Sequence, residues 1–231
     1  MKRLVITIDG PAGSGKSTTA KLVAARLGYA YLDTGAMYRA MTLKALRTGV
    51  DISCSDALAL MAGRTDIVAK PDPHGTRIML DGRDVTSDLR SLEVTRNASA
   101  VSAAMGVRTR MVELQRKMGQ GGGIVAEGRD IGSVVFPDAD VKIYLDAQLH
   151  CRALRRQKDL ETAGTQADVS EVERDLSTRD RYDSTREHSP LCIPEGSMIV
   201  DTTDLTIDEQ VERILSVVGE RSQEGGLAGS L

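Results

Sequence analysis

The chain has 231 residues, 41% of them hydrophobic and 27% charged, enough to bury a sizeable core and too apolar for a disordered polymer. Its 30 Lys and Arg against 33 Asp and Glu leave a formal charge of -3, which excludes the broad positive field of a general nucleic-acid binder. Only 3% of residues are aromatic, with no Trp and a single Phe, Phe136, so stacking platforms for single-stranded nucleic acid are excluded and the core must be aliphatic.

Leu4 to Ile8 is a β-branched run of the kind buried on both faces of a parallel sheet, and it is too short for the apolar stretch of a signal peptide. No segment approaches the roughly 20 apolar residues of a membrane span. A Gly-rich turn follows. Ala20, Val23, Ala24 and Leu27 then mark an amphipathic helix that stops at Gly28. Tyr29 to Leu32 reads as a second strand, and Met37, Ala40 and Met41 lie on a helix ending near Gly49. This alternation is the signature of an α/β parallel sheet.

The rhythm breaks in the middle. Asp66 to Lys70, Arg77 to Leu80 and Arg83 to Thr86 read as short strands, joined by a Pro/Gly turn and by Asp81-Gly82, a strong hairpin signal. Helical patterns follow over Leu92 to Met105 and Val107 to Met118, with Met111, Leu114 and Met118 as core. The parallel pattern resumes at Ile124 to Ala126 and Val141 to Leu145. A long helix begins after Asp146, and a second, opened by a capping box Ser170-x-x-Glu173, leads into an Arg-rich loop over 179 to 186. Met198 to Val200 is the last strand, and Thr206-x-x-Glu209 caps the last helix. Gly119 and Gly121 to Gly123 read as plain flexibility. Residues 220–231 read as a disordered tail.

Cys54, Cys151 and Cys192 are odd in number and widely spaced, with no CxxC and no His at metal spacing. Neither a disulfide framework nor a zinc site is supported, and a reducing cytoplasm fits best.

Gly10-Pro11-Ala12-Gly13-Ser14-Gly15-Lys16-Ser17 matches GxxxxGK(S/T) in full, between a buried strand and a helix N-terminus. In that setting backbone N–H groups cradle phosphates, Lys16 reaches the β and γ phosphates, and Ser17 can ligate Mg2+. Gly10 to Thr18 is therefore the expected ATP site. No Asn-Lys-x-Asp guanine reader is present, and Asp72-Pro73-His74-Gly75, though it fits DxxG, has the setting of a turn. A nucleotide or metabolite kinase leads over a GTPase switch, the nature of the acceptor being open at this point.

Two further segments fall at strand ends, where open α/β sheets bind ligands: Asp33-Thr34-Gly35-Ala36-Met37-Tyr38-Arg39, and Glu127-Gly128-Arg129-Asp130. The arm from Cys151 to Pro190 carries eight Lys and Arg against nine Asp and Glu, so its arginines cannot act as a diffuse patch. They make sense as oriented, bidentate phosphate ligands on a lid.

With these residues in view, the chain resembles the bacterial cytidylate kinases over residues 3 to 218. The resemblance rests on Ile8 to Pro11, Asp33 to Arg39, Glu127 to Gly132, Val135 to Ala139, and Arg179-Asp180 followed by Asp183, Arg186, Pro190 and Leu191. It implies phosphoryl transfer from ATP, with Mg2+, to CMP or dCMP in pyrimidine nucleotide metabolism, by a cytoplasmic monomer without nucleic-acid or membrane partners. Its fold would be a P-loop nucleoside-monophosphate-kinase-like α/β sheet flanked by helices. The core would span 1–62, 122–148 and 191–219, with a small antiparallel CMP-binding insertion and connecting helices over 63–121 and a helical lid over 149–190.

The same resemblance gives Arg39, Arg129 and Arg186 to the CMP phosphate, Arg179 and Asp183 to the sugar, and Ser99, Arg108 and Asp130 to cytosine, and it counts Thr34, where relatives often carry Ser, among the substrate-binding residues. Lys16, Arg129 and Arg186 would be catalytic. Glu127 stands where relatives can carry Asp, which leaves its own contribution to Mg2+ open. A P-loop kinase for another acceptor, such as AMP, dTMP, shikimate or a CoA precursor, is the competing expectation.

Overall fold

A computed structural model describes residues 3–72, 75–162 and 164–227. Five strands form a parallel sheet in the order β2-β6-β1-β7-β8: β1 (Val5–Asp9), β2 (Ala30–Asp33), β6 (Ile124–Gly128), β7 (Val141–Asp146) and β8 (Met198–Asp201). The chain leaves β1 to one side for β2 and returns through β6. It then continues to the other side through β7 and β8, so the order reverses around β1 and opens a crevice beyond its carboxyl end. Register sets what meets there: Asp9 pairs with Gly128, and Asp33 with Glu127.

Helices cover both faces. Against one, Ile6, Ile8, Ile143 and Leu145 pack on Val23 of α1 (Lys16–Leu27) and on Val211 and Ile214 of α8 (Ile207–Leu227). Against the other, Met37 and Met41 of α2 (Thr34–Thr48) and Leu58 of α3 (Ser55–Gly63) meet Val101 of α4 (Leu92–Ala103) and Met111 of α5 (Met105–Gly119). Both cores are mainly aliphatic, with Tyr38 buried in one, Tyr31 in the other and Phe136 only partly buried at the margin. Each fully buried Leu, Ile, Val or Met here contributes about 1.5–3 kcal/mol, so these two layers, with no disulfide among the cysteines, carry the fold.

The insertion is a three-stranded antiparallel sheet of β3 (Ile67–Asp72), β4 (Gly75–Leu80) and β5 (Arg83–Asp84). Asp81 and Gly82, with φ of 48° and 80°, form the tight turn between β4 and β5. The other turn, at 73–74, lies outside the described residues. Thr76 donates its hydroxyl to the Tyr31 carbonyl at 2.9 Å and so docks this sheet on β2. A satellite core of Ala12, Ala153, Val172 and Leu176 packs α6 (Leu149–Thr162) and α7 (Val169–Thr185) onto the phosphate loop.

Four expectations are corrected. The N-cap of α7 is Asp168, whose carboxylate accepts from the Ser170 N–H, so the Ser170-x-x-Glu173 box is not formed and Glu173 instead meets His150. The stretch expected as an Arg-rich loop is helical to Thr185, which sets Arg179 and Asp183 one turn apart on the same helix. Gly122 and Gly123 are constrained, not flexible: both have positive φ, the Gly123 N–H donates to the Leu4 carbonyl, and a Cβ at Gly122 would sit 2.0 Å from the Arg3 oxygen. Finally, α8 continues to Leu227 although residues 219–223 are exposed, so part of the stretch expected as a tail is helical; residues 228–231 lie outside the described residues. The box at Thr206 and Glu209 forms in both directions as expected.

Candidate functional site

The phosphate loop leaves β1 at Gly10, whose φ of 146° is open only to glycine and whose missing Cβ would lie 2.0 Å from the Leu145 oxygen. The Lys16 ammonium lies within its own loop, donating to the Pro11 carbonyl at 2.6 Å. Burial, then Arg129 and Arg179, pull its pKa down to about 7, against the opposing pull of Glu127 and Asp9. The loop is braced from outside. Arg152 of α6, 8% exposed, donates to the Ala12 carbonyl at 3.1 Å and pairs with Asp180 of α7, while the Thr202 hydroxyl donates to the Ser14 carbonyl.

Beside the loop stands Glu127, buried at the end of β6. Burial and the neighbouring Asp33 push its carboxyl above the ordinary range, while Lys16, Ser17 and Tyr31 oppose that rise. The Tyr31 hydroxyl donates to it at 2.7 Å, and Thr34 donates to its backbone carbonyl. Asp33 caps α2 at the Ala36 N–H and accepts from Arg39 at 3.1 Å. Asp33 and Arg39 also form one wall of a cleft of about 710 Å³ between the end of β2 and the insertion sheet, where Arg77 and Arg90 form part of the other. A second cavity, of about 400 Å³, is lined by Val5, Arg116 and Phe136 at the opposite end of β1.

Across the crevice, four guanidinium groups face two carboxylates. Arg108 and Asp130 form a buried ion pair, their side chains 5% and 4% exposed, and the Arg108 guanidinium lies over the Tyr38 ring. Arg129 donates to Asp183 at 3.0 Å and, with its other arm, to the Gly10 carbonyl at 3.0 Å. Arg186 lies 3.8 Å from Asp130 and 4.0 Å from Asp183, and its Nη2 has no hydrogen-bond partner. Arg179 approaches Asp183 at 3.9 Å. Burial and like charge lower the pKa of Arg179 to about 10 and depress that of Arg186. A buried cationic excess with an unpartnered guanidinium N–H is built to receive an oxyanion.

Of the residues expected from the sequence, Arg108, Arg129, Asp130, Arg179, Asp183 and Arg186 come together, and Lys16 neighbours them across Arg129. Arg39 is paired with Asp33 but lies within electrostatic reach of Arg179, and Ser99 is half-buried on α4, one turn before the Ser102 carbonyl that Arg108 bonds. Sequence reasoning missed Asp9, Tyr31 and Arg152. Asp9 had one visible signal, a carboxylate closing an otherwise apolar buried strand. Arg152 had none, since the partners that tie it to the phosphate loop and to α7 lie 140 and 28 residues away.

The profile of the cytidylate kinase family matches residues 6–220. The chain belongs to the cytidylate kinase family. Curated relatives named cytidylate kinase include that of Symbiobacterium thermophilum, 49% identical over 93% of this chain and 95% of its own, and that of Desulfitobacterium hafniense, 47% identical over 97% and 96%. That of Streptomyces avermitilis is 46% identical over 94% of each chain. Among solved structures, a gluconokinase from Sinorhizobium meliloti superposes with a TM-score of 0.50 at 12% identity, covering 99% of this chain and 98% of its own, a likeness of fold alone. The family membership makes this chain a phosphotransferase, and the P-loop parallel sheet is the fold on which its site is assembled.

Proposed function

We propose that this chain transfers the γ-phosphoryl group of ATP to CMP or dCMP. The observation that carries the reading is the buried Arg108–Asp130 pair set beside Arg129 and Arg186, one strand away from the phosphate loop. A carboxylate accepts from the exocyclic amine of cytosine and an arginine donates to its ring acceptors. Uracil presents an acceptor at the same position, so Asp130 would face it unpaired, a penalty of about 1–3 kcal/mol or more for a charged group.

In this reading Gly10 to Thr18 hold the ATP phosphates through backbone N–H groups and Lys16, whose charge the polyphosphate restores. Arg39, Arg129 and Arg186 hold the CMP phosphate, Arg179 and Asp183 the sugar, and Ser99, Arg108 and Asp130 the base, with Thr34 supporting Glu127. The nucleophile is a phosphate oxygen already anionic near neutral pH, so no side chain has to remove a proton. Transfer then depends on alignment and on Lys16, Arg129 and Arg186 meeting the charge that spreads over the equatorial oxygens. Arg152 and the α6–α7 pair close over the loop and exclude water, which suppresses hydrolysis.

The donors fit Mg2+. Ser17 offers a hydroxyl and Glu127 a buried carboxylate, both hard oxygens, and among the described residues no group of three or more His, Cys, Asp or Glu could hold a metal alone. Ser17 would hold the ion together with the nucleotide's phosphates, and Glu127 would act on it through water. When bound, the ion offsets charge on the transferring group.

A reducing cytoplasm belongs to the same proposal, in keeping with the three unpaired cysteines, and the family resemblance implies a monomer. Among the described residues no helix is long and apolar enough to cross a membrane. ADP formation from ATP and Mg2+ measured against CMP, dCMP, UMP, AMP, dTMP and GMP tests the function. Turnover with CMP and dCMP far above the rest is expected; a clear preference for any other acceptor contradicts it.

A further inference from the structure

Asp9 makes no hydrogen bond to a side chain assigned above to ATP or CMP, although its charge acts on Lys16 and Asp130, and it is fully buried at the seam between the two sites. It is the last residue of the central strand and precedes the first glycine of the phosphate loop. Its carboxylate is committed at both oxygens: Oδ1 accepts from the Ile131 N–H at 2.8 Å and Oδ2 from the Gly132 N–H at 2.7 Å. These two N–H groups open the single π turn Ile131–Val135, directly after Arg129 and Asp130. One residue further along the seam, Arg129 returns the tie by donating to the Gly10 carbonyl.

The segment carrying the phosphate and base ligands is thus bound to the phosphate loop at two adjacent points, one through Asp9 and one through Arg129. The approach at the first point is close. A Cβ on Gly132 would lie 2.8 Å from the Thr7 hydroxyl and 3.2 Å from Asp9 Oδ2.

An apolar residue at position 9 would leave two buried N–H groups without acceptors, and a neutral amide would leave one facing another donor. Either lets the turn move. The phosphate loop keeps its other braces, at Pro11, Ala12 and Ser14. The damage therefore falls on the position of Arg129 and Asp130 relative to the donor, and displacements of that order carry large rate penalties in aligned transfer reactions.

We propose that Asp9 is a positioning residue, the carboxylate that sets the Arg129-Asp130 turn at a fixed offset from the phosphate loop and so aligns acceptor with donor. This rests on the kinase reading above, in which that turn carries acceptor ligands. The test is a double-mutant cycle in the full chain: wild type, Asp9→Asn, Arg129→Ala and the double variant, with kcat and KM for CMP, the Kd for ATP and the melting temperature of each.

Asp9→Asn should lower kcat/KM for CMP by roughly 100-fold while ATP affinity changes by less than about threefold. With Arg129 already removed, the same substitution should lower it by less than about tenfold, because the two residues act through one junction. Losses that multiply, an unchanged kcat/KM, or ATP and CMP binding weakened alike would overturn the proposal. Should Asp9→Asn fail to fold, Gly132→Ala displaces the same junction with the carboxylate intact and is read by the same criteria. A wild-type protein that phosphorylates a different acceptor overturns the functional reading alone, and the cycle is then run with that acceptor.

Discussion

The guanidinium of Arg129 donates to the carbonyl of Gly10 at 3.0 Å, so a ligand expected on the acceptor is tied directly to the first residue of the phosphate loop. Its Nε donates to Asp183 at 3.0 Å, which makes Arg129, beside Arg152, a bridge between donor loop and α7. The fork geometry is essential to that bridge, since a lysine ammonium has one centre and cannot reach both. Arg129→Lys should therefore lower kcat by about 100-fold or more even though it keeps the charge. Steady-state kinetics with CMP checks this, and activity near that of wild type would contradict it.

Arg186 sits on the other side of the cluster, 6% exposed, with Asp130 and Asp183 both at the limit of ion-pair distance. Its Nε is held by the Ser189 carbonyl at 2.7 Å, leaving the Nη2 end open. Arg186→Ala should leave ATP affinity nearly intact and reduce turnover severely. Calorimetric ATP titration beside turnover measurement decides it, and equal losses in both would remove Arg186 from the acceptor side.

Lys16 gives a pH prediction. In the nucleotide-free protein its amine has a pKa of about 7 and so is mostly neutral at about pH 8. Anionic phosphates favour the charged form and raise the pKa on binding. ATP binding then takes up a proton, and affinity weakens as pH rises from about 7 towards the ordinary lysine range. Titrations at about pH 8 in two buffers of different ionisation enthalpy should show net proton uptake, and no uptake would contradict the assignment.

Tyr31 supports a buried carboxylate and can be tested through stability. Its hydroxyl, whose own pKa burial and Glu127 push far upward, remains a neutral donor to Glu127 at 2.7 Å. Tyr31→Phe keeps the ring and removes the donor, leaving the buried Glu127 carboxyl one hydrogen bond short. The expected loss is about 1–3 kcal/mol, read as a lower urea midpoint. An unchanged midpoint would show that Glu127 does not depend on this contact.

The parallel sheet was legible because its strands are continuous apolar runs and its helices carry an interior-facing period, and the hairpin was legible because Asp81-Gly82 has the one chemistry such a turn favours. The phosphate loop was legible from its motif and its setting between strand and helix. What was not legible depends on distance in sequence. Arg152 reads in the sequence as one of the lid arginines that would hold phosphate, yet it is buried against Ala12 and Asp180. Gly122 and Gly123 looked like slack until the close approach of Arg3 gave them a task. The Ser170 box failed because Asp168, two residues earlier, competes for the same cap. For the binding cluster, the resemblance supplied the residue roles, while the mutual pairing of Arg108 with Asp130 and of Arg129 with Asp183 is visible only in three dimensions.

In the proposed function Asp130, held by Arg108 in a buried pair, reads the base of the acceptor. The most direct measurement is the ratio of kcat/KM for CMP to that for UMP in the wild-type protein and in Asp130→Asn. A wild-type ratio well above about 10, collapsing towards unity in the variant, is the predicted result. The same ratio in both proteins would contradict it.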